Sequence, residues 1–176
     1  MEDPREASEP RWLDADEQQH WYAFAYVLTQ LPAALEARMQ RDAGISHFDY
    51  VVMSALSMAP ERTLRMSEVA QYAGSTLSRL SNVVGRLEKR GWVRRRPDPS
   101  DGRSTLATLT DEGQDKVAAA APGHVDAVRR LVFDPLTKAQ QRQLGTASQR
   151  ILGAIQAPCP TDWAPDGATP AAADRD

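Results

Sequence analysis

The chain has 176 residues, of which 41% are hydrophobic and 26% are charged, and its formal net charge is −3. This length is typical of one domain with short appendages, and the apolar fraction is sufficient for a core, which excludes a wholly disordered chain. No apolar run approaches the roughly 18–20 residues of a membrane span. The first residues do not resemble a secretory signal, and Cys159 has no second cysteine to pair with. We therefore expect a cytoplasmic protein without a membrane partner.

Charge is unevenly distributed along the chain. Residues 75–104 contain eight basic and three acidic residues, whereas the first 20 residues contain seven acidic residues and two arginines. This asymmetry favours one surface that binds a polyanion and a remainder that repels it. An ordinary solvated surface is the alternative interpretation, since clustered charges often have no specific partner.

The N-terminal part is predicted to be an acidic arm followed by a long helix. Residues 1–13 have little apolar surface to bury, and we expect them to be disordered. From Asp14 to about Gly44, apolar residues recur at spacings of three and four, which indicates an amphipathic helix. Pro32 lacks an N–H donor and is expected to kink this helix or open it locally. The apolar stripe could pack on its own domain or on a second copy of the chain.

Three shorter helices are predicted next. The second helix begins after an N-cap at Ser46. A short third helix is expected to run from an N-cap at Ser67 to a stop at Gly74, and a fourth from an N-cap at Ser75 to a stop at Gly91. Two helices joined by a short glycine-containing turn form a helix-turn-helix.

Beyond residue 91 the hydrophobic period changes from helical to alternating. Two short strands are predicted to form a β-hairpin, with residues 101–102 in its turn. Thr110 is expected to cap a fifth helix, which residues 122–123 (Pro-Gly) interrupt. A last helix follows Thr137.

The fourth helix carries the residues that point to a function. At 100° per residue, Leu77, Leu80, Val84 and Leu87 share one face, which we assign to the core. The opposite face has no acidic residue and has donors that suit base edges, because Arg forks onto guanine, Asn pairs with adenine and Ser serves either. The helix N-terminus also offers free N–H groups to a phosphate. The residues predicted to face DNA are Ser75, Thr76, Ser78, Arg79, Asn82, Arg86 and Lys89.

The hairpin supports the same interpretation, because a helix-turn-helix followed by a hairpin is the winged helix-turn-helix order. Arg103 is expected near the hairpin tip, where it would enter a minor groove. Asp101 would hold the Arg103 guanidinium by a bidentate hydrogen bond. A surface pair worth less than about 1 kcal/mol is the alternative. Arg95 is counted among the DNA-binding residues, although it and its neighbours are expected to divide between backbone phosphates and the body of the protein.

Two segments resemble the MarR family of winged helix-turn-helix regulators. The DGR and LTDEG runs at residues 101–103 and 109–113 look like that family's wing signature, and residues 64–95 resemble its helix-turn-helix. The similarity covers roughly residues 14–156. It implies a homodimer in which the first and last helices interlock and two winged modules bind one DNA. It also implies a repressor that a small aromatic acid releases from DNA. The acidic arm, the Ala/Pro-rich tail and the Pro-Gly pair in the fifth helix depart from the family pattern.

The expected fold class is therefore mainly α with a small β-hairpin wing, in which N- and C-terminal dimerisation helices flank a winged helix-turn-helix domain. The predicted organisation is a disordered acidic arm (residues 1–13), an N-terminal dimerisation helix (14–44), the winged DNA-binding domain (45–110), C-terminal helices that complete the dimerisation region (111–156) and a disordered Ala/Pro-rich tail (157–176).

Candidates for an effector pocket lie mostly around the first two helices. Trp21 and Phe48 supply aromatic surface, and Asp49 and Arg94 could bind a polar or anionic ligand, loosely as in urate-responsive members of the family. Core packing is the alternative for the aromatic residues, because a stripe at helical spacing usually packs inside.

No cofactor or metal is expected. His20, His47 and His124 show no ligand spacing, and Cys159 lies in the tail without neighbouring cationic residues, which argues against a thiol switch. No phosphate loop, metal-ligand cluster or nucleophile elbow is present, so we expect no enzymatic activity.

The expected function is sequence-specific binding of double-stranded DNA by a homodimeric transcriptional regulator, most simply a repressor on a pseudo-palindromic operator, with release by a small aromatic or anionic effector. The alternative is a winged-helix module that binds an acidic protein partner without specific DNA binding.

Overall fold

The computed structural model describes residues 10–155. Its helices in chain order are α1 (Ala15–Ala43), α2 (His47–Met58), α3 (Met66–Tyr72), α4 (Leu77–Lys89), α5 (Asp111–Val128) and α6 (Lys138–Ile155). Its strands are β1 (Thr63–Arg65), β2 (Val93–Asp98) and β3 (Asp101–Leu109). A 3₁₀ turn (Pro60–Arg62) precedes β1, and a π-helical turn (Arg129–Phe133) follows α5. The chain divides into two compact units between Ala34 and Leu35, so α1 contributes to both.

The first unit consists, in its described part, of residues 10–34. A reciprocal capping box begins α1: the Asp14 carboxylate accepts from the Glu17 N–H at 2.8 Å, and the Glu17 carboxylate accepts from the Asp14 N–H at 3.1 Å. The helix continues through Pro32 without a break, and the expected kink there stays a prediction. A long helix tolerates the loss of one hydrogen bond, because its other turns remain bonded.

The apolar stripe of the first unit is largely exposed among the described residues. Trp21 and Leu28 are 51% and 54% exposed, and Tyr22 and Tyr26 are more exposed still. The rings of Trp21 and Phe24 lie 6.4 Å apart. This half of α1 therefore presents an aromatic surface, which in a folded protein usually marks an interface.

The second unit contains the hydrophobic core. Met39 from α1 and Ile45 are almost fully buried, so the final turns of α1 belong to this unit. The rest of the core comes from α2 to α5 and from the strands, and its main members are Val52, Met53, Leu56, Val69, Leu80, Val83, Val84, Leu87, Val93, Ala107, Leu109 and Val117.

Two predicted helix caps are confirmed. The Ser46 hydroxyl accepts from the Asp49 N–H at 2.9 Å at the start of α2. The Thr110 hydroxyl accepts from the Gly113 N–H at 3.0 Å at the start of α5 and donates to the Gly91 carbonyl at 2.7 Å. Each satisfies a helix-terminal N–H that would otherwise lack a partner.

Two other predicted caps are wrong. Strand β1 extends to Arg65, so α3 begins at once and Ser67 lies inside its first turn. The Glu68 carboxylate accepts from the Arg65 N–H at 2.7 Å there. At α4 the cap is Thr76, not Ser75, and its hydroxyl accepts from the Arg79 N–H at 3.3 Å. Adjacent hydroxyl residues compete for one cap position, and the sequence pattern alone does not choose between them.

The wing is a three-stranded antiparallel sheet with the order β1-β3-β2. The predicted hairpin of β2 and β3 is confirmed, whereas β1 was not anticipated because it is only three residues long. Residues 99–100 form the turn, not residues 101–102, which already belong to β3. Because Pro97 pairs with Thr105 and Asp98 with Asp101, residues 102–104 form a bulge opposite the end of β2.

The Pro-Gly pair does not interrupt α5, contrary to prediction. Pro122 lies inside one helix that runs to Val128. Ala120 and Ala127 on either side of the pair are buried, and their packing holds the helix together across the missing hydrogen bond. The predicted last helix after Thr137 is confirmed as α6. Residues 1–9 of the predicted arm and the predicted tail lie outside the described residues.

Candidate nucleic-acid interface

Helix α4 buries one face and exposes the other, but the buried face differs from the predicted one. Leu80, Val83, Val84 and Leu87 are at most 4% exposed, whereas Leu77 is 54% exposed. The buried face therefore includes Val83 where the predicted face included Leu77, and its centre is rotated by about 30° about the helix axis, since successive residues differ by 100°. The assignment of Leu77 to the core was therefore wrong.

This rotation places one flank of α4 beside α2. The Arg79 guanidinium carbon lies 4.6 Å from the centroid of the Phe48 ring, a cation–π distance. The Arg86 guanidinium lies 3.4 Å from a carboxylate oxygen of Asp49, whose side chain is 9% exposed. Both arginines remain exposed, and α2 restricts the orientation of each.

The centre of the exposed face carries polar side chains. Ser78, Asn82 and Lys89 are exposed and lie within about 40° of one another on the helical wheel. At the helix N-terminus, the Ser75 hydroxyl donates to the Thr76 carbonyl at 3.3 Å. The predicted DNA-facing residues of α4 thus share one surface, with the two arginines at the edge that borders α2.

The other flank of α4 contacts the wing through Glu88 and Arg95. The Glu88 carboxylate accepts from the Arg95 backbone N–H at 3.1 Å and from its guanidinium at 2.7 and 3.0 Å. These hydrogen bonds lower the pKa of Glu88 from its ordinary value. Arg95 is therefore held in place by a carboxylate that the predicted interface did not include, and that carboxylate partly neutralises its charge.

The wing tip is fixed by a buried carboxylate. Asp98 is 7% exposed and accepts from the Ser100 hydroxyl at 2.7 Å and the Ser100 N–H at 2.9 Å. It also accepts from the Arg65 guanidinium at 2.9 Å, which joins the tip to the start of α3. The hydrogen bonds from Ser100, followed by the bond from Arg65, lower the pKa of Asp98.

Asp101 does not hold the Arg103 guanidinium, contrary to expectation. It accepts instead from the Arg103 backbone N–H at 3.1 Å and from the Ser104 hydroxyl at 2.8 Å. The hydroxyl bond first, and the backbone bond second, lower the pKa of Asp101. Asp101 thus shapes the bulge that presents Arg103, whose exposed guanidinium forms no ion pair within residues 10–155.

The four effector candidates are divided between the two units. Trp21 lies in the first unit, whereas Phe48, Asp49 and Arg94 lie in the second. Asp49 pairs with Arg86, and Arg94 lies on β2 opposite Thr108. Phe48 instead lines a cavity of about 450 Å³ at the α2–α4 edge of the interface. The cavity is lined by Glu36, Ser46, Phe48, Arg79, Asn82, Val83 and Arg86.

Comparison with known proteins identifies the family. A sequence model of the MarR family matches residues 44–104. Sco3205, a MarR family transcriptional regulator from Streptomyces coelicolor, shares 48% sequence identity with this chain, and its crystal structure in complex with DNA matches the fold with a TM-score of 0.80. The match covers 89% of this chain and 98% of that chain. The chain belongs to the MarR family.

Curated relatives match this MarR chain over shorter segments. An uncharacterized HTH-type transcriptional regulator, YdcH of Bacillus subtilis, is 31% identical over 44% of this chain and 54% of its own length. The transcriptional repressor MprA of Escherichia coli is 23% identical over 67% of this chain and 66% of its own length. The chain thus spans between half and two thirds of these two proteins. These relatives are transcriptional regulators, in agreement with the expectation that the chain is not an enzyme.

Two histidines that are far apart in this MarR sequence meet in the structure. The rings of His47 and His124 stack at 5.5 Å, and the Tyr50 ring lies 4.6 Å from His124. Burial lowers the pKa of both histidines; Glu36 partly opposes this at His47, and His47 adds to it at His124. Sequence spacing gave no sign of this pair.

Residues 10–155 contain neither a cluster of metal-ligating side chains nor a helix that could cross a membrane. No group of three or more His, Cys, Asp and Glu side chains there has an arrangement suited to a metal ion. Among the helices in that range, none has both the length and the hydropathy needed to cross a membrane.

Proposed function

We propose that this MarR-family protein is a sequence-specific double-stranded-DNA-binding transcriptional regulator that acts as a homodimeric repressor. The observation that carries the proposal is the exposed face of α4, on which Ser78, Arg79 and Asn82 lie together beside a wing that presents Arg103. Such a helix fits the major groove while the wing reaches the adjacent backbone or minor groove. The DNA complex of Sco3205 supports the same assignment by similarity.

The homodimer is supported by apolar surface in each unit. The first unit exposes aromatic residues on α1, and the second exposes Val125, Leu131, Phe133, Leu144 and Ile151 on α5, the π-helical turn and α6. A second copy of the chain would cover these surfaces and place two recognition helices about one turn of DNA, 34–36 Å, apart. The operator is then a pseudo-palindrome. Sedimentation of the wild-type chain and of Ile151→Glu tests this, because the charged variant should shift the protein toward monomer.

Repression and effector release are the finer parts of the proposal. Similarity to the transcriptional repressor MprA supports a role in repression. A small aromatic or anionic effector suits the cavity beside Phe48, because the ring offers apolar surface and two arginines, Arg79 and Arg86, outnumber the lining carboxylate of Glu36. An occupant there would compete with DNA for Arg79. The proposed binding of chromosomal DNA would require the protein to be in the cytoplasm, the location expected from the sequence.

Selection from random duplexes followed by fluorescence anisotropy tests the DNA-binding function. Arg79→Ala and Asn82→Ala should relax the preferred sequence, at a cost of about 1–3 kcal/mol at the position each reads. Arg103→Ala and Arg95→Ala should weaken binding to all sequences and reduce the salt slope by about one. Arg41→Ala, an exposed arginine at the end of α1, is the matched control and should change neither quantity.

The opposite results are equally informative. If the selection enriches no sequence and binding is weak on every duplex, the protein is not a sequence-specific regulator, and the protein-interaction module becomes the better interpretation. The effector site is tested by adding a benzoate-class anion to the protein–DNA complex. If the anion releases the duplex from the wild type but not from Arg86→Ala, the result supports the effector site.

A further inference from the structure

The exposed leucine at the start of the recognition helix is unexplained by the fold. Leu77 is the first residue of α4 and directly follows the cap residue Thr76. The other leucines and valines of α4 are buried, whereas Leu77 exposes 54% of its surface. A single exposed leucine is common on protein surfaces and has no meaning alone. Its surroundings make this one informative.

Leu77 lines a cavity of about 240 Å³ between α4, the start of α3 and the wing. Its other lining residues include Ser67 and Ser81 and the three arginines Arg65, Arg95 and Arg103, and no carboxylate from the described part of the chain lines it. The side chains that line this cavity are therefore cationic or neutral. Such a site favours a polyanion, and a duplex placed along α4 would set phosphates against these arginines.

The polar residues of α4 give no role to the apolar side chain of Leu77 that is exposed at the start of the helix. N-terminal residues of a recognition helix are the ones that contact base edges in the major groove. The apolar group that a base pair presents there is the 5-methyl of thymine. Ser and Asn side chains read donors and acceptors, so a methyl group is recognised by an aliphatic side chain. Leu77 is the aliphatic side chain exposed in the first turn of α4.

We propose that Leu77 packs on the 5-methyl group of a thymine in each operator half-site and thereby selects thymine at that position. The proposal rests on the DNA-binding function proposed above. It assigns to Leu77 a specificity role that is separate from the phosphate contacts of the wing arginines.

Replacement of thymine by uracil tests the proposal without altering base pairing. Each thymine of the selected half-site is replaced in turn by deoxyuridine, and affinities of the full-length protein are measured by anisotropy at fixed salt. Wild type should bind about fourfold more weakly when the contacted methyl is removed, since burial of one such group is worth about 0.8 kcal/mol. Leu77→Ala should bind the thymine and uracil duplexes equally. Leu77→Met, which keeps an aliphatic contact, should retain the preference for thymine.

Each outcome has a distinct meaning. If the wild type binds every uracil-substituted duplex as tightly as the parent, or if Leu77→Ala keeps the wild-type ratio of the two affinities, Leu77 does not read a methyl group, and selective DNA binding still stands. If the selection enriches no sequence, the proposed function itself fails and this proposal with it. A wild type that binds every uracil-substituted duplex as tightly as the parent refutes the proposal even if a variant does not fold.

Discussion

Of the glycines within residues 10–155, Gly113 has the least room for a Cβ atom, and its replacement by alanine gives the sharpest test of the fold. It is the third residue of α5, after the cap residue Thr110. A Cβ atom at Gly113 would overlap the Trp92 carbonyl oxygen and lie 2.7 Å from Cδ1 of Leu109. The same Trp92 carbonyl accepts from the Thr110 N–H at 3.0 Å, so it cannot move away without breaking a bond that joins α5 to the segment before β2.

The expected cost follows from three contributions. Overpacking of a tight site costs about 1–3 kcal/mol. Loss of the Thr110–Trp92 hydrogen bond adds about 1 kcal/mol. The higher helix propensity of alanine offsets about 1 kcal/mol of this destabilisation. The net destabilisation of Gly113→Ala is therefore about 2 kcal/mol, which corresponds to a fall of about 4–8 °C in the thermal midpoint for a chain of this size.

Gly145→Ala is the matched control, because Gly145 also lies inside a helix and its added Cβ would meet no atom of residues 10–155 within 4 Å. This variant should unfold at the wild-type midpoint or up to about 4 °C above it. Thermal unfolding by circular dichroism at one fixed protein concentration measures both, since association would shift the midpoint. A Gly113→Ala midpoint equal to or above that of the wild type would refute the close packing of α5 against Trp92.

Three further changes test individual contacts. Asp98→Ala should lower the thermal unfolding midpoint at pH 7, because hydrogen bonds from Ser100 stabilise the charged carboxylate and lower the pKa of Asp98 in the folded state. The difference in midpoint between wild type and variant should narrow as the pH falls below about 4, where the carboxyl becomes protonated. A difference that stays constant with pH would contradict this. Burial lowers the pKa of His47 and His124 in the folded state, so protonation of these histidines favours unfolding. The free energy of unfolding, measured with denaturant, should therefore fall as the pH decreases below about 6.5, and it should depend less on pH in His124→Gln. Thr110→Ala should cost about 1 kcal/mol in the same assay, whereas Thr110→Ser should cost little.

Local signals in the sequence predicted most of the secondary structure. Ser46 and Thr110 were identified as caps because a hydroxyl residue before an apolar helical period satisfies a helix-terminal N–H wherever the chain lies. The pattern was insufficient where two candidates adjoin, as at Ser75 and Thr76. It also failed at Pro122, where packing of the neighbouring alanines outweighs the local effect of proline.

The candidate interface was predicted as a set of residues but not as an arrangement. The helical wheel correctly separated Leu80 and Leu87 from Arg79 and Asn82, because that separation depends only on the helical period. It misplaced Leu77, because the edge of a buried face depends on which neighbouring element covers it.

The pairs Glu88–Arg95, Asp98–Arg65 and His47–His124 join residues from different elements. Their members are brought together by tertiary packing, and no local spacing indicates them. The predicted Asp101–Arg103 pair shows the converse: nearness in sequence does not ensure contact between two side chains, since Asp101 binds backbone and hydroxyl groups instead.

The order of the strands has a consequence for solubility. Strand β3 is central, so β1 and β2 are the edges of the sheet within the described residues, and an edge strand can pair with a strand of another molecule. Strand β1 is too short to do so readily, and β2 carries three consecutive arginines followed by Pro97, which repel and interrupt an added strand. Apolar replacement of Arg96 would therefore weaken the protection of this edge against aggregation, whether or not DNA is present.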